Sequence, residues 1–358
     1  MIRRRCARPC ARPRAGPRQK TCRGSPQGWS HSSTLRSSNV RLRMDFLPQS
    51  PSAFEFHHIR YEKQPPVARV IINRPDVLNA LNFAALREMS RAFEDASWDD
   101  GIAAVILTGT GDRAFCTGAD LDEQSLFVRR PRDYWKWMGA FIEAQERLRN
   151  IGKPTVARLN GMVVGGGNEF NLACDLAIAA EDVVIRHVGP VRGSVPAAGA
   201  TQWLPIVVGD RRAREILFLC EEISAPQALA WGLVNEVVPR RELDAAVERL
   251  AQKLVRTLPE VTRYTKQQLN FWRDLSWHLT VGHARDWLTL HAGSPETQEG
   301  LEAFHEKRPV DHAGIRQRLA EGASTEYRWG PPTRTCPSCG ARHLPEEFTF
   351  CGQCGHKL

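Results

Sequence analysis

No apolar run in this sequence approaches the roughly 18 residues that a membrane span requires, so no membrane partner is expected. Acidic residues are missing from residues 1–43, which carry eleven Arg and one Lys. Subtracting that +12 from the formal net charge of +9 leaves the rest of the chain at about −3. The globular part is therefore not basic overall, which argues against a nucleic-acid-binding body. Cysteine is not scarce, with ten in 358 residues, but the ten are not spread as a disulfide framework and no signal peptide precedes them. Four of them, Cys336, Cys339, Cys351 and Cys354, cluster at the end. Cys116, Cys174 and Cys220 fall in apolar segments and read as buried free thiols. A reducing, cytoplasmic compartment follows. Internal repeats are also absent.

The composition is that of an ordinary globular protein, 42% hydrophobic and 25% charged, enough for one large domain plus an appendage. Residues 1–43 mix Arg, Pro, Ser and Gly without periodic apolar residues, and are expected to be a disordered basic tail. Met44 opens a segment of ordinary composition, so translation is read as starting near it. An organelle transit peptide, which would move the protein to an organelle matrix, and a flexible basic arm are the alternatives.

From Phe54 the pattern is one of strands alternating with helices. Residues 67–73 (VARVIIN) and 103–108 (AAVILT) are β-branched runs, and residues 83–96 between them put Phe83, Leu86, Met89 and Phe93 on one helical face. Residues 155–159 and 182–188 read as further strands. Helical spacing dominates from 211 to about 320, with Leu243, Val247, Leu250, Leu254 and Leu258 forming one stripe. The expected domains are residues 54–320, a Gly-, Ser- and Pro-containing linker at 321–334, and a module at 335–358.

Two Gly-centred turns carry the most chemistry. One is Ala114-Phe115-Cys116-Thr117-Gly118-Ala119-Asp120-Leu121, soon after a strand. The other runs from Asn160-Gly161 through Gly165-Gly166-Gly167-Asn168-Glu169-Phe170 into a helix expected over 168–175. Consecutive glycines let backbone approach a ligand closely, and N–H groups at a helix start favour developing negative charge, as an oxyanion hole requires.

These two segments, in this order and separation, resemble the paired signatures of the crotonase (enoyl-CoA hydratase/isomerase) superfamily, and the likeness runs from about Val67 to Arg308. The resemblance implies an α/β fold: a crotonase (ClpP-like) ββα superhelix core with a helical C-terminal section. It implies an enzyme, a lyase or C–C hydrolase, that holds an acyl-CoA thioester as substrate and needs no redox cofactor. The oxyanion hole would be the N–H groups of Ala119 and Gly166, and losing one such donor costs roughly 3–4 kcal/mol in the transition state. Leu78, Leu81, Ala119, Asp120 and Leu121 would border the adenine and pantetheine of coenzyme A, with Lys307 reaching its phosphates. Homotrimers or hexamers are the family's habit.

Glu169 falls in the first helical turn after the glycines and is the expected general acid or base. In hydratases a second glutamate begins a segment resembling P-E-x-x-x-G-x-x-P. Here that stretch is Val188-Gly189-Pro190-Val191-Arg192-Gly193-Ser194-Val195-Pro196, with Gly189 at the acidic position. The Gly189-Pro190-x-x-Gly193-Ser194 pattern resembles the dihydroxynaphthoyl-CoA synthase branch. Gly199-Ala200-Thr201-x-x-Leu204-Pro205, Leu219-Cys220-Glu221 and Ser224-Ala225 are closer to 6-oxocyclohex-1-ene-1-carbonyl-CoA hydrolase, which hydrates a cyclic enoyl-CoA and opens its ring. Tyr134, Trp135, Trp137 and Phe141 would suit a flat acyl group, or simply pack a helix. His187, two residues before Gly189, and Ser194 complete the candidate catalytic set.

The two CxxC knuckles at the end, each followed by glycine, are expected to hold a structural zinc ion as a zinc ribbon with no open coordination position. His343 and His356 are read as bystanders. The ribbon suits a protein partner better than catalysis. A few hydratase relatives bind RNA, but Arg342 and Lys357 stand against Glu346 and Glu347, so the ribbon has no basic face and nucleic acid is not the expected partner.

Overall fold

The computed structural model describes residues 47–127, 130–322, 333–342 and 344–358. The expected tail at 1–43, most of the linker and His343 lie outside these.

The chain begins with β1 (Ile59–Gln64) and β2 (Val67–Ile72), an antiparallel pair, and α1 (Phe83–Trp98), started by Asn82, whose side chain accepts the Ala85 N–H. Then a unit recurs: a strand, a sharp corner, a short second strand, and a helix. It runs as β3 (Ala104–Gly109), β4 (Ala114–Cys116), α2 (Leu121–Phe127) and α3 (Pro131–Arg149), and again as β5 (Thr155–Leu159), β6 (Met162–Val164) and α4 (Gly166–Ala173). The third round is β7 (Leu176–Ala180), β8 (Val184–Arg186), α5 (Ala200–Val208) and α6 (Asp210–Leu219). The strand β9 (Ile223–Ser224), α7 (Ala225–Ala230) and β10 (Glu236–Val238) close the coil. First strands build a six-stranded sheet ordered β1-β2-β3-β5-β7-β10, parallel from β2 onward. Second strands build a smaller sheet ordered β4-β6-β8-β9. This is the expected ββα superhelix.

Side-chain amides hold the corners. Asn160 donates to the Gly111 and Ala114 carbonyls and accepts from Thr108 and Gly109, while Asn79 donates to the Thr110 and Ala114 carbonyls. β3 is buried along its whole length, which fits its unbroken apolar run between helical layers.

The C-terminal section is helical, with α8 (Leu243–Leu254), the 33-residue α9 (Pro259–His291), α10 (Pro295–His305) and α11 (His312–Ala320). The stripe read across 243–258 ends at Leu254. Pro259 starts a new helix and holds Leu258 in extended backbone, 71% exposed. Phe83 likewise differs from expectation and is partly exposed at the first position of α1, whereas Leu86, Met89 and Phe93 are fully buried. Among the described residues no helix is long and apolar enough to cross a membrane. Last come β11 (Thr333–Arg334) and β12 (Leu344–Pro345), a two-stranded antiparallel pair.

Candidate active site

β4 and β6 are parallel neighbours, so the chain leaves both at the same end, and the two glycine-bearing turns meet there. Gly118 has φ +88°, and a Cβ on it would stand 3.0 Å from both the Gly166 nitrogen and the Val164 carbonyl oxygen. A Cβ on Gly167 would stand 2.1 Å from the Cys116 carbonyl oxygen. Only glycine fits at either place, because each turn uses the space a side chain would need.

Leu81 borders the first turn as a parallel bridge partner of Ala119: its N–H donates to the Gly118 carbonyl at 2.7 Å and its carbonyl accepts the Asp120 N–H at 3.0 Å. In that pairing the N–H of Ala119 points away from Leu81. Gly166 opens α4, where a helix has no internal acceptor for its N–H. Neither N–H has an acceptor among the described residues. Two free donors thus stand on adjoining turns.

Glu169 follows one helical turn later, 6% exposed. Burial holds its carboxyl well above the usual carboxylate range; the Ala197 N–H and the Gln145 amide act in the opposite direction. The Glu169 charge is close enough to add to the effect of burial on two neighbours, raising the Tyr134 hydroxyl and pushing the Cys116 thiol up to about 12. Gly199 closes the other side: a Cβ there would lie 2.9 Å from the Trp203 ring and 3.5 Å from the Glu169 Cβ.

One wall is aromatic. Tyr134, Trp137 and Phe141 recur on the inner face of α3 and stack in sequence, with ring centroids 6.2 and 5.4 Å apart. Phe141 meets Phe170 edge-on at 5.5 Å, and its ring stands 3.0 Å from where a Cβ of Gly166 would be. Trp137 Nε1 donates to Glu123 at 2.7 Å, and the same carboxylate oxygen accepts the Phe83 N–H. Burial raises the Glu123 carboxyl. Trp135 lies on the outer face, stacked under the Arg285 guanidinium at 3.4 Å.

His187 is buried, and burial lowers it to about 4, so it is neutral. Its Nε2 faces the Asn168 side-chain nitrogen at 2.9 Å, and Asn171 donates to Asn168 at 3.1 Å. An imidazole accepting at Nε2 carries its proton on Nδ1, an assignment made from these partners. Asn168 is turned about 100° around α4 from Glu169, so the histidine belongs to a different flank. Ser194 is exposed, and its N–H donates to the Gly189 carbonyl at 2.9 Å. Its loop is clamped to α10 by Thr297, whose hydroxyl donates to the Gly193 carbonyl at 2.7 Å.

The expected coenzyme A residues form one rim. Leu78 sits in the left-handed region (φ 54°), and its carbonyl accepts from Thr117 at 3.2 Å. Asp120 pairs with Arg74 at 2.9 Å and accepts the Asp122 and Glu123 N–H groups, starting α2 at Leu121. α10 of the same chain ends beside this rim, with His305 Nδ1 3.7 Å from an Asp122 carboxylate oxygen. Lys307, two residues further, is exposed.

The model of the enoyl-CoA hydratase/isomerase family matches residues 62–315. The chain belongs to that family. An enoyl-CoA hydratase/isomerase from Xanthobacter autotrophicus Py2 is 30% identical, with a TM-score of 0.65 over 74% of this chain and 98% of that one. Enoyl-CoA hydratases from Bacillus anthracis (30% identity, TM-score 0.58, 71% and 98%) and from Mycobacterium avium subsp. paratuberculosis K-10 (27%, 0.65, 71% and 98%) are also similar. The fold is that of the crotonase superfamily, and an acyl-CoA substrate is implied by membership.

The ribbon lies beyond the part matched to the enoyl-CoA hydratase/isomerase family. The Cys336, Cys339, Cys351 and Cys354 sulfurs all lie within 4.8 Å of one another, with 3.6 Å between Cys336 and Cys354 and between Cys339 and Cys351. Four thiolates around a tetrahedral zinc with Zn–S bonds of about 2.3 Å stand roughly 3.8 Å apart, so the cluster fits that ion. Gly340 and Gly355, both with φ above +70°, turn the chain after each knuckle.

Several contributors carry no sequence signal. Gln145, Trp203 and Glu123 belong to no motif; their roles come from burial and packing. A polar residue such as Gln145 within an amphipathic helix reads as solvent-facing until the helix is packed.

Proposed function

We propose that this family member stabilises a thioester enolate between the Ala119 and Gly166 N–H groups, with Glu169 moving the proton. The observation that supports the reading is the contact of the two turns at Gly118, where neither N–H group has an acceptor among the described residues. The thioester oxygen accepts from both donors as negative charge develops on it, and the start of α4 adds its dipole. In its ionised form Glu169 takes a proton from water, or from the carbon next to the thioester, and returns it in the later step. The reaction needs no redox cofactor.

For the acyl group, we read hydration or hydrolytic opening of a cyclic oxo/enoyl-CoA. The buried stack of Tyr134, Trp137 and Phe141 beside Gly166 suits a flat ring, and a second carboxylate is absent at position 189. A conventional straight-chain hydratase is the second reading, favoured by the names of the similar proteins. Crotonyl-CoA and 6-oxocyclohex-1-ene-1-carbonyl-CoA separate the two by mass spectrometry. Addition of two waters to the cyclic thioester supports ring opening, and faster hydration of crotonyl-CoA overturns it.

Self-association into a homotrimer or hexamer is supported by Leu269, Trp272 and Leu279, which line one stripe of α9 at 72%, 68% and 78% exposure. Sedimentation at equilibrium tests it. The cysteine cluster supports a structural zinc and, through the ribbon, contact with a protein partner.

A further inference from the structure

The side chain of Gln145 is completely buried on α3, one turn beyond Phe141, facing Glu169. Its amide oxygen has no partner among the described residues, and its amide nitrogen meets no acceptor in regular hydrogen-bond geometry, its polar neighbour being the Glu169 carboxyl on which it acts. A buried amide oxygen left unpaired is destabilising by about 1–3 kcal/mol, so such an atom ordinarily has a ligand or water to meet. Position 189 has no room for a carboxylate: a Cβ on Gly189 would lie 2.7 Å from the Ser194 carbonyl oxygen. The polar work of a second hydration group must therefore come from another element.

We propose that Gln145 is that group, its amide nitrogen donating to Glu169 and its amide oxygen accepting from the water that Glu169 activates. A carboxamide suits the task because it donates at one atom and accepts at the other, so one side chain orients both the base and the nucleophile. The inference rests on the enolate reading above. One O–H bond of water breaks, and its proton passes to Glu169. The oxygen's electron pair forms the bond to the β-carbon of the enoyl-CoA while the π pair moves onto the thioester oxygen. Glu169 then returns the proton to the α-carbon, and water has been added across the double bond. Gln145 gains and loses no proton; its oxygen keeps the second hydrogen of the water in place.

The test separates enolate formation from water addition in the full chain. Exchange of the α-protons of butyryl-CoA in D2O needs the two N–H donors and Glu169 but no added water. Hydration is read with crotonyl-CoA and cyclohex-1-ene-1-carbonyl-CoA. Gln145→Met, close in size, is expected to slow hydration about 100-fold while exchange falls less than about threefold at its plateau. Loss of the donor also moves the pH profile of exchange upward, because that hydrogen bond favours ionised Glu169. Should Gln145→Met not fold, Gln145→Glu keeps an acceptor for the water and is expected to retain hydration within about tenfold. Equal loss of exchange and hydration, or loss of neither, overturns the assignment. Exchange without hydration of either thioester in the parent protein also overturns it and leaves the enolate reading standing. A parent protein that does neither sinks both.

Discussion

The Ser194 carbonyl oxygen occupies the space beside Gly189, 2.7 Å from where a Cβ would be. Thr297 and Gly300 of α10 clamp the same loop, since a Cβ on Gly300 would run into the Arg192 carbonyl. Restoring a hydratase-like carboxylate is therefore not a matter of one substitution. Gly189→Glu is expected to destabilise the protein by about 1–3 kcal/mol without faster hydration of crotonyl-CoA. Thermal melts and initial rates check this; a stable, faster variant would show that the loop yields freely.

Gly118→Ala places a methyl group 3.0 Å from the Gly166 nitrogen, at a φ that side chains rarely adopt. One donor of the pair is displaced, and kcat/KM is expected to fall about 10²- to 10³-fold. KM should change much less than kcat, because the lost interaction strengthens as charge develops.

Burial keeps the proton on Glu169 at pH values where an exposed glutamate has lost it. On the proposed mechanism hydration starts from the ionised form, so it should rise with pH through this elevated range and then level off. Glu169→Gln is expected to lower the rate by about 10²- to 10⁴-fold.

The same substitution should stabilise the fold at alkaline pH. In the unfolded chain the carboxyl ionises near about 4.3; in the folded chain it does so higher. Between those values the unfolded state binds fewer protons, so the stability contributed by neutral Glu169 is complete below the unfolded value and is lost as pH climbs to the folded one. Glu169→Gln and the parent should therefore match at about pH 4, with the variant ahead at about pH 8. Urea unfolding at the two pH values decides; a variant weaker at both would assign the carboxylate a supporting role.

Zinc at the four cysteines should be present at one ion per chain and be lost in Cys339→Ser. Hydration should persist, because a closed four-thiolate site has no open coordination position and lies outside residues 62–315. Metal analysis beside rate measurement checks this, and activity that vanishes with the metal would tie the ribbon to catalysis.

How much of this was legible in the sequence depends on how local the signal is. The glycine turns at 118 and 165–167 announce themselves, because backbone needing a close approach restricts residue type directly. The four cysteines do so for the same reason. The place of Glu169, one turn after the glycines, is likewise legible, whereas its burial is not. His187 was read by strand alternation, but β8 ends at Arg186, and the ring settles against Asn168. Trp135 shares its stretch with three inward aromatics yet faces Arg285, since α3 carries adjacent residues to different sides. Gln145 was invisible because a polar residue is informative only once its burial is known.

The two free N–H groups come from successive laps of the coil, carried by strands that touch only when those laps are stacked. Neither lap alone holds both donors, so on the proposed mechanism a half-wound molecule cannot grip a thioester. Catalytic competence thereby becomes a readout of completed assembly: activity regained during refolding should lag behind helix formation and coincide with the docking of the second lap on the first.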